Sequence, residues 1–208
     1  MVPVIYVAAI YGGYDIPKPP PPGDAILFTD DRTLEAPGWE IRVADPFPHL
    51  HPRLKAKAVK CLPHEFHPEH AKTVWIDGSM HVHGDDGLEV YPLGFFRHPQ
   101  RDTVSAEAGL SRQMTKYAGL PVVEQANSYL AAGLLPGLWA SGFHTRDINH
   151  PGVVEFFEAW WHENILWTYQ DQISLPWARQ RTGVEITDLP HGLYNNPWFR
   201  IGAHTRED

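Results

Sequence analysis

The stretch that decides the fold is Lys72-Thr73-Val74-Trp75-Ile76-Asp77-Gly78-Ser79. Its branched and aromatic residues predict a buried strand, and the polar residues that follow mark the carboxyl end of that strand. Ligands bind at this end of the strands in open α/β sheets. Asp77 and Ser79, bent around Gly78, have the oxygen ligands to hold a hard cation together with a diphosphate. The other interpretation is that Asp77-Gly78 only forms a turn.

The composition is that of one globular domain. The chain has 208 residues, of which 43% are hydrophobic and 20% are charged, and no Ser/Gly-rich linker divides it. Twenty prolines and 17 glycines indicate many fixed loops. We therefore expect a single α/β domain with a mostly parallel central sheet flanked by helices.

Charge and cysteine content restrict the partners. A formal net charge of −8 argues against a nucleic-acid surface, which needs clustered Lys and Arg. The single cysteine, Cys61, excludes an internal disulfide and a cysteine-only metal site. The first residues have no basic region, and no apolar run reaches the roughly 18 residues that span a bilayer. We expect a cytoplasmic protein without a membrane span.

The first third of the chain has the pattern of a nucleotide-binding sheet. Residues 4–10 form an apolar run typical of a buried parallel strand, and shorter strands are predicted at residues 25–30 and 39–43. The loop after the first run contains Tyr11, Gly12, Gly13 and Tyr14, where a nucleotide base can stack on a tyrosine ring. A purely structural turn explains these glycines equally well, since the full dinucleotide-binding glycine spacing is missing.

A basic stripe is predicted on the helix at residues 52–62. Arg53, Lys57 and Lys60 recur at helical spacing on one side, and apolar residues occupy another side. In an acidic chain such a stripe is a candidate for binding a diphosphate, whereas a solvated helix face is the more common explanation.

The second half mixes polar loops with helices. His81 and His83 share one face of a short segment, which suits a transition metal or simply an exposed strand face. A helix is predicted at residues 106–117, with Glu107 in its first turn, and a second one at residues 151–166. Residues 134–141 are predicted as another strand approach, which leads into the segment 142–147.

Several short motifs in this order resemble one known family. They are Ile10-Tyr11-Gly12-Gly13-Tyr14-Asp15, Phe28-Thr29-Asp30, the basic stripe, Trp75-Ile76-Asp77-Gly78-Ser79, His98-Pro99, Arg101-Asp102, Glu107, Gln113, Tyr117, Trp160-Trp161 and Asp171-Gln172. From about residue 4 to about residue 177 the chain resembles the TOD/MUCI-type glycosyltransferase-like domain. The resemblance implies a single GT-A domain related to the glycogenin and bacterial galactosyltransferase group, with a nucleotide-binding half at about residues 1–90 and an acceptor half at about 91–208. It implies a hexosyltransferase type of activity, a nucleotide-sugar donor and often Mn²⁺ or Mg²⁺.

The resemblance also implies roles for individual residues. In the wider group an Asp-x-Asp motif and a late histidine hold the metal, and here that motif reads Asp77-Gly78-Ser79, with one carboxylate replaced by a hydroxyl. His204 is the candidate late histidine and His191 the reserve. The donor would be bound by Tyr11, Gly12, Gly13, Asp30, Arg53, Lys57 and Lys60. Catalysis would involve Asp171, Gln172 and Glu107, and the acceptor would meet His98, Arg101 and His144.

Three functions remain open at this point. The leading hypothesis is transfer of a sugar from a nucleoside diphosphate donor to a hydroxyl acceptor, with Asp171 orienting the acceptor, acting as a base or stabilising positive charge at the sugar. The second is a noncatalytic carbohydrate- or nucleotide-binding domain, favoured by the missing carboxylate and by eight tryptophans that can stack on sugars. The third is a metallohydrolase built on His81, His83 and another histidine together with Asp77.

Overall fold

The structure, a computed structural model, describes residues 4–202 and contains a seven-stranded central sheet. The chain forms the strands β1 (Ile5–Ile10), β2 (Asp24–Thr29), β3 (Glu40–Val43), β4 (Lys72–Ile76), β5 (Met80–Val82), β6 (Leu93–Arg97), β7 (Trp139–Asp147), β8 (Thr187–Asp188) and β9 (Phe199–Ile201). The sheet order is β3-β2-β1-β4-β7-β6-β8, and β7 alone runs antiparallel to its two neighbours. The predicted α/β fold with a mostly parallel sheet is confirmed.

The helices are α1 (Pro52–Cys61), α2 (Pro63–Phe66), α3 (Val104–Ser111), α4 (Val122–Ala131), α5 (Val153–Leu166) and α6 (Asp171–Thr182), with a 3₁₀ turn at Thr115–Tyr117. Helices α1, α5 and α6 cover one face of the sheet, where aromatic side chains such as Phe157 and Trp160 form the core. On the other face, β5 pairs with β9 in a two-stranded sheet that packs Phe199 against Phe143. The central strands are therefore buried on both faces.

The strongest sequence patterns correspond to observed elements. The apolar run at residues 4–10 forms β1, which is buried along its whole length, and residues 72–76 form β4 with Asp77 directly at its carboxyl end. The helices predicted at 52–62 and 151–166 are α1 and α5. Helix α1 begins where it does because the His51 side chain accepts a hydrogen bond from the Arg53 N–H and Pro52 occupies the first turn.

Two predicted elements differ from the observed ones. The helix predicted at 106–117 ends at Ser111 and is followed by the separate 3₁₀ turn. The strand approach predicted at 134–141 lies mostly before the observed strand, which covers residues 139–147. The polar residues of this strand are buried and partnered: the Arg146 guanidinium donates to Thr73 Oγ1 and to the Lys60 carbonyl. Buried polar groups of this kind need such partners.

Candidate active site

A cleft opens beyond the carboxyl ends of β1 and β4 and encloses about 680 Å³ of space open to solvent. The residues that line this cleft include Tyr11, Asp15, Arg53, Lys57, Asp77 and Tyr117. They come from the loop after β1, from α1, from the end of β4 and from the 3₁₀ turn. The cleft thus lies where open α/β sheets bind ligands, between the two halves of the chain.

Asp77 stands at the floor of this cleft with its carboxylate held from one side. Its Oδ1 accepts hydrogen bonds from Trp75 Nε1 at 2.8 Å and from Lys60 Nζ at 3.2 Å. Its backbone N–H donates to the Gly142 carbonyl, and a Cβ on Gly142 would lie 3.1 Å from Asp77 Oδ2. About a third of the Asp77 side chain is exposed, so the carboxylate is both fixed and open to a ligand.

Beneath Asp77 lies a buried cluster of charges. The Lys60 side chain is fully buried, and its ammonium bridges Asp77 and Asp171, with Nζ 2.7 Å from Asp171 Oδ2. Lys57 donates to the same Oδ2 at 2.7 Å, and Ser141 Oγ donates to Oδ1 at 2.9 Å. Burial alone raises the pKa of Asp171, but the Lys57 and Lys60 ammoniums outweigh it and hold that pKa below its usual range. Asp171 is therefore an anion, and both of its carboxylate oxygens already accept hydrogen bonds.

Helix α1 and the strands around it determine where these lysines point. Lys57 and Lys60 are three residues apart and so share a face of α1. The Lys60 ammonium lies between two indole rings, 5.4 Å from the centroid of Trp75 and 5.7 Å from that of Trp160. The Arg146 guanidinium donates to the Lys60 carbonyl and so fixes the backbone that carries this lysine. The basic stripe is thus partly a buried anchor, not a solvated face.

The loop after β1 closes the opposite wall of the cleft. The Gly12 N–H donates to Asp30 Oδ1 at 2.9 Å, which joins the ends of β1 and β2. Gly12 and Gly13 have φ values of +63° and +60°, and a Cβ on Gly12 would lie only 2.7 Å from Pro52 Cγ. Glycine is therefore needed at Gly12 for both conformation and space. Tyr11 is buried beside the cleft, and burial raises its pKa, as do Asp30 and Asp45.

Aromatic rings and a guanidinium form the mouth of the cleft. The Arg53 guanidinium lies 3.9 Å from the ring centroid of Tyr14 and 5.9 Å from that of Tyr169. The His51 ring stacks on Tyr169 with centroids 4.9 Å apart. Tyr169 directly precedes the Gln170-Asp171 pair, and sequence reasoning missed it because a tyrosine between helices has no distinctive spacing.

Three predicted residues of the second half come together behind the cleft. Glu107 is buried, and its carboxylate accepts from Arg101 Nε at 2.6 Å and from Gln170 Nε2 at 2.8 Å. His98 Nε2 lies 2.9 Å from Arg101 Nη2, and the pKa of His98 is lowered by burial and by the Arg101 charge. Tyr117 Oη donates to Gln170 Oε1 at 2.9 Å. This network therefore reaches the cleft through Gln170 and Tyr117.

Comparisons with known proteins agree with this architecture. No family model matches the chain. It is 26% identical over 164 residues to the probable hexosyltransferase MUCI70 of Arabidopsis thaliana. The aligned region covers 71% of this chain and 28% of that protein. Its fold matches the apo structure of the bifunctional glycosyltransferase WbbM with a TM-score of 0.52 and 11% identity, over 90% of this chain and 38% of that one.

These similarities support a glycosyltransferase-like domain. The chain spans between a quarter and two fifths of the length of the two proteins it matches. In the described part of the chain, no helix is long and apolar enough to cross a membrane.

Other predicted site residues lie away from the cleft. His144 is in the middle of β7, fully buried, with its ring stacked 4.7 Å from that of Phe95, so an acceptor at the surface does not reach it. Gln172 is partly buried in the first turn of α6 and does not line the cleft. His191 packs against Trp198 with ring centroids 5.5 Å apart. His204 lies outside the described residues.

Few of the described side chains are placed to hold the expected metal ion. Among residues 4–202, no three His, Cys, Asp or Glu side chains lie together so as to hold a metal ion. His81 and His83 are exposed on one face of β5 and its end, as in the surface interpretation. Ser79 is buried, and its carbonyl accepts from the Gly202 N–H at 2.9 Å. Asp77 is thus the part of the motif that lines the cleft.

A second carboxylate, Asp15, also lines the cleft beside Asp77. A Cβ on Gly78 would lie 3.6 Å from Asp15 Oδ2, so Asp15 stands next to the loop that follows β4. It lies between Tyr14 and Ile16, and nothing in the spacing of this stretch predicts its approach to Asp77. Two carboxylates with phosphate oxygens and water form a donor set that fits Mg²⁺ or Mn²⁺.

Proposed function

We propose that the chain transfers a sugar from a nucleoside diphosphate donor to a hydroxyl group of a carbohydrate or similar acceptor. The observation that carries this proposal is the Lys60 ammonium, which joins Asp77 and Asp171 beneath a cleft at the carboxyl ends of β1 and β4. It places fixed positive charge next to the strand end where a diphosphate would lie. The similarity to a probable hexosyltransferase supports the same reaction class.

The nucleoside would occupy the wall formed by the loop after β1. Gly12 and Gly13 allow a ligand to approach the backbone closely, and Tyr11 and Asp30 lie at the ends of β1 and β2 beside them. Arg53 and Lys57 line the cleft between this wall and Asp77, so they would meet the phosphate oxygens. Lys60 is buried one layer deeper and would act by holding Asp77 and Asp171 in place.

The proposed reaction exchanges one bond of the anomeric carbon for another and moves negative charge onto the diphosphate. The bond between the sugar's anomeric carbon and the phosphate oxygen breaks, and its electron pair leaves with the diphosphate. The acceptor oxygen bonds to the anomeric carbon, and its proton passes to the departing diphosphate or to water. Negative charge grows on the leaving diphosphate, and the fixed cations Arg53 and Lys57 stabilise it.

Asp171 suits the role of an electrostatic anchor better than that of a general base. Both carboxylate oxygens of Asp171 already accept strong hydrogen bonds. Its lowered pKa also makes it a weak base toward the proton of the hydroxyl that receives the sugar. Its negative charge keeps Lys57 in position at the cleft. Glu107, His98 and Arg101 would support the acceptor side through Gln170 and Tyr117.

A divalent cation is part of the proposal. Asp77 and Asp15 would hold Mn²⁺ or Mg²⁺, and the ion would supply Lewis-acid stabilisation of the diphosphate. Ser79 and His204 are further candidates from the resemblance. Of these two residues, Ser79 accepts a hydrogen bond from the Gly202 N–H through its carbonyl.

A thermal-shift panel of nucleotide sugars, with and without Mn²⁺, tests the proposal directly. One donor should raise the melting temperature more than the others, more strongly with Mn²⁺, and the same donor should be consumed when acceptors are added. Donor binding without hydrolysis or transfer would support the noncatalytic binding domain instead. All eight tryptophans are buried or partly buried, which weakens the argument that they stack on sugars.

A further inference from the structure

Lys116 occupies a position at the cleft that no predicted motif includes. It is the middle residue of the 3₁₀ turn, and the Tyr169 hydroxyl donates to its carbonyl at 2.8 Å. Its side chain lines a depression that continues from the mouth of the cleft and that Arg53 and Tyr169 also line. Lys116 therefore faces the loop after β1 and the start of α1 from the opposite half of the chain.

The charges around Lys116 are unbalanced. Lys57 and Lys60 share the carboxylate of Asp171, but within residues 4–202 no carboxylate lies in ion-pairing distance of the Lys116 ammonium. Burial lowers the pKa of Lys116, and the nearby positive charges of Arg53 and Lys57 lower it further, only partly offset by Asp77 and Asp171. A half-buried cation beside other cations costs free energy that an anionic ligand would offset.

We propose that Lys116 binds the diphosphate of the donor from the side opposite Lys57, so that the two halves of the chain clamp it. This inference rests on the proposed function and adds a residue to it. The clamp explains why a chain with a net charge of −8 gathers Arg53, Lys57, Lys60 and Lys116 around one cleft. The 3₁₀ turn is fixed by Tyr117 and Tyr169, so its lysine is presented on a rigid support.

The test compares Lys116→Met with Arg112→Met in the full chain. Arg112 is an exposed cation four residues earlier that lines neither depression, so its loss matches the change in net charge. Calorimetric titrations would use UDP and GDP, with uridine and guanosine as phosphate-free probes, all in EDTA so that a metal cannot mask the lysine. Melting temperatures would check that both variants fold.

The expected result is that Lys116→Met weakens nucleoside diphosphate binding by roughly 10- to 100-fold, as for a lost charge-assisted hydrogen bond. Affinity for the nucleoside should stay unchanged, Arg112→Met should match the wild type, and Lys116→Arg should recover much of the loss. If the wild type binds UDP or GDP and Lys116→Met binds it equally well, the clamp is wrong while the proposed function stands. If the wild type binds neither diphosphate in EDTA nor in a repeat titration with Mn²⁺, both fail.

Discussion

Lys60 and Asp171 form a buried ion pair across 111 residues of chain, with Nζ 2.7 Å from Oδ2. One partner comes from α1 in the first half and the other from the start of α6 in the second half. Because Lys60 also contacts Asp77, the pair links the end of the central strand to both halves. The geometry of the cleft therefore depends on charges that a ligand does not touch.

Asp171→Asn is expected to destabilise the fold. It leaves the Lys57 and Lys60 ammoniums without their shared counterion in a buried site, which costs about 3 kcal/mol. Urea unfolding measures this loss. Glu40→Gln is the matched control, since Glu40 pairs with Arg42 at the surface and should contribute less than about 1 kcal/mol. Equal stabilities of the two variants would contradict a structural role for the buried pair.

Lys57→Met is expected to weaken UDP or GDP binding roughly 10- to 100-fold, because it removes a cation that lines the cleft. The fold should survive, since Lys60 remains paired with Asp171. Lys72→Met, at an exposed lysine of β4 that pairs loosely with Asp147, serves as the control for net charge. Calorimetric affinities decide the matter, and identical losses in both variants would point to long-range charge alone.

Asp77→Asn is expected to abolish the effect of Mn²⁺ on donor binding while leaving the fold intact. An amide oxygen is a poor substitute for an anionic ligand, but it still accepts the hydrogen bonds from Trp75 and Lys60. The measurement is UDP affinity with Mn²⁺ and with EDTA. A variant that keeps the full metal response would show that the cation, if bound, is held elsewhere.

Two buried histidines, His67 and His144, are expected to lower the free energy of unfolding in acid. Burial, together with the Arg146 charge, lowers the pKa of His67 to about 2 and that of His144 well below its usual value. Below pH 6.5 the unfolded chain therefore takes up protons that the folded chain does not, and the free energy of unfolding falls. Above pH 6.5 both states hold neutral histidines, so these two residues contribute no pH dependence there.

His144→Phe tests this because the ring stacks among aromatic side chains and, among residues 4–202, neither ring nitrogen has a partner at good hydrogen-bond geometry. Relative to the variant, the wild type should lose about 2 kcal/mol more between pH 7 and pH 5, as expected for one histidine. Urea unfolding at several pH values measures the difference. His162→Gln, at an exposed position, should leave the wild-type slope unchanged.

The fold could be predicted from sequence where local pattern and burial agree. Strand β4 is an apolar run that ends sharply at Asp77, and α1 and α5 have helical periodicity with suitable first turns. Strand β7 was misplaced because its buried Arg146 is satisfied by Thr73 and by the Lys60 carbonyl, partners far away in the chain. Helix α6 was not predicted, since Pro176 lies within it.

The candidate site, too, could be predicted only where the local sequence pattern determines the position of a residue. Arg53 and Lys57 line the cleft as helical spacing suggested, but the burial of Lys60 depends on Asp171 and on two tryptophans from other elements. Lys116 and Asp15 reach the cleft from loops without periodicity. Such positions are determined by tertiary packing, which the local sequence does not encode.

The pairing of β5 with β9 has a consequence for the order of assembly. Residues 80–82 and the turn that begins at Asp77 find their partner strand only at residues 199–201, and Ser79 is bonded to Gly202. During synthesis, the parallel strands on the amino-terminal side can pair long before this contact exists. The turn after the central strand is thus braced only after residues 199–202 have been made, although the residues that line the cleft all precede them.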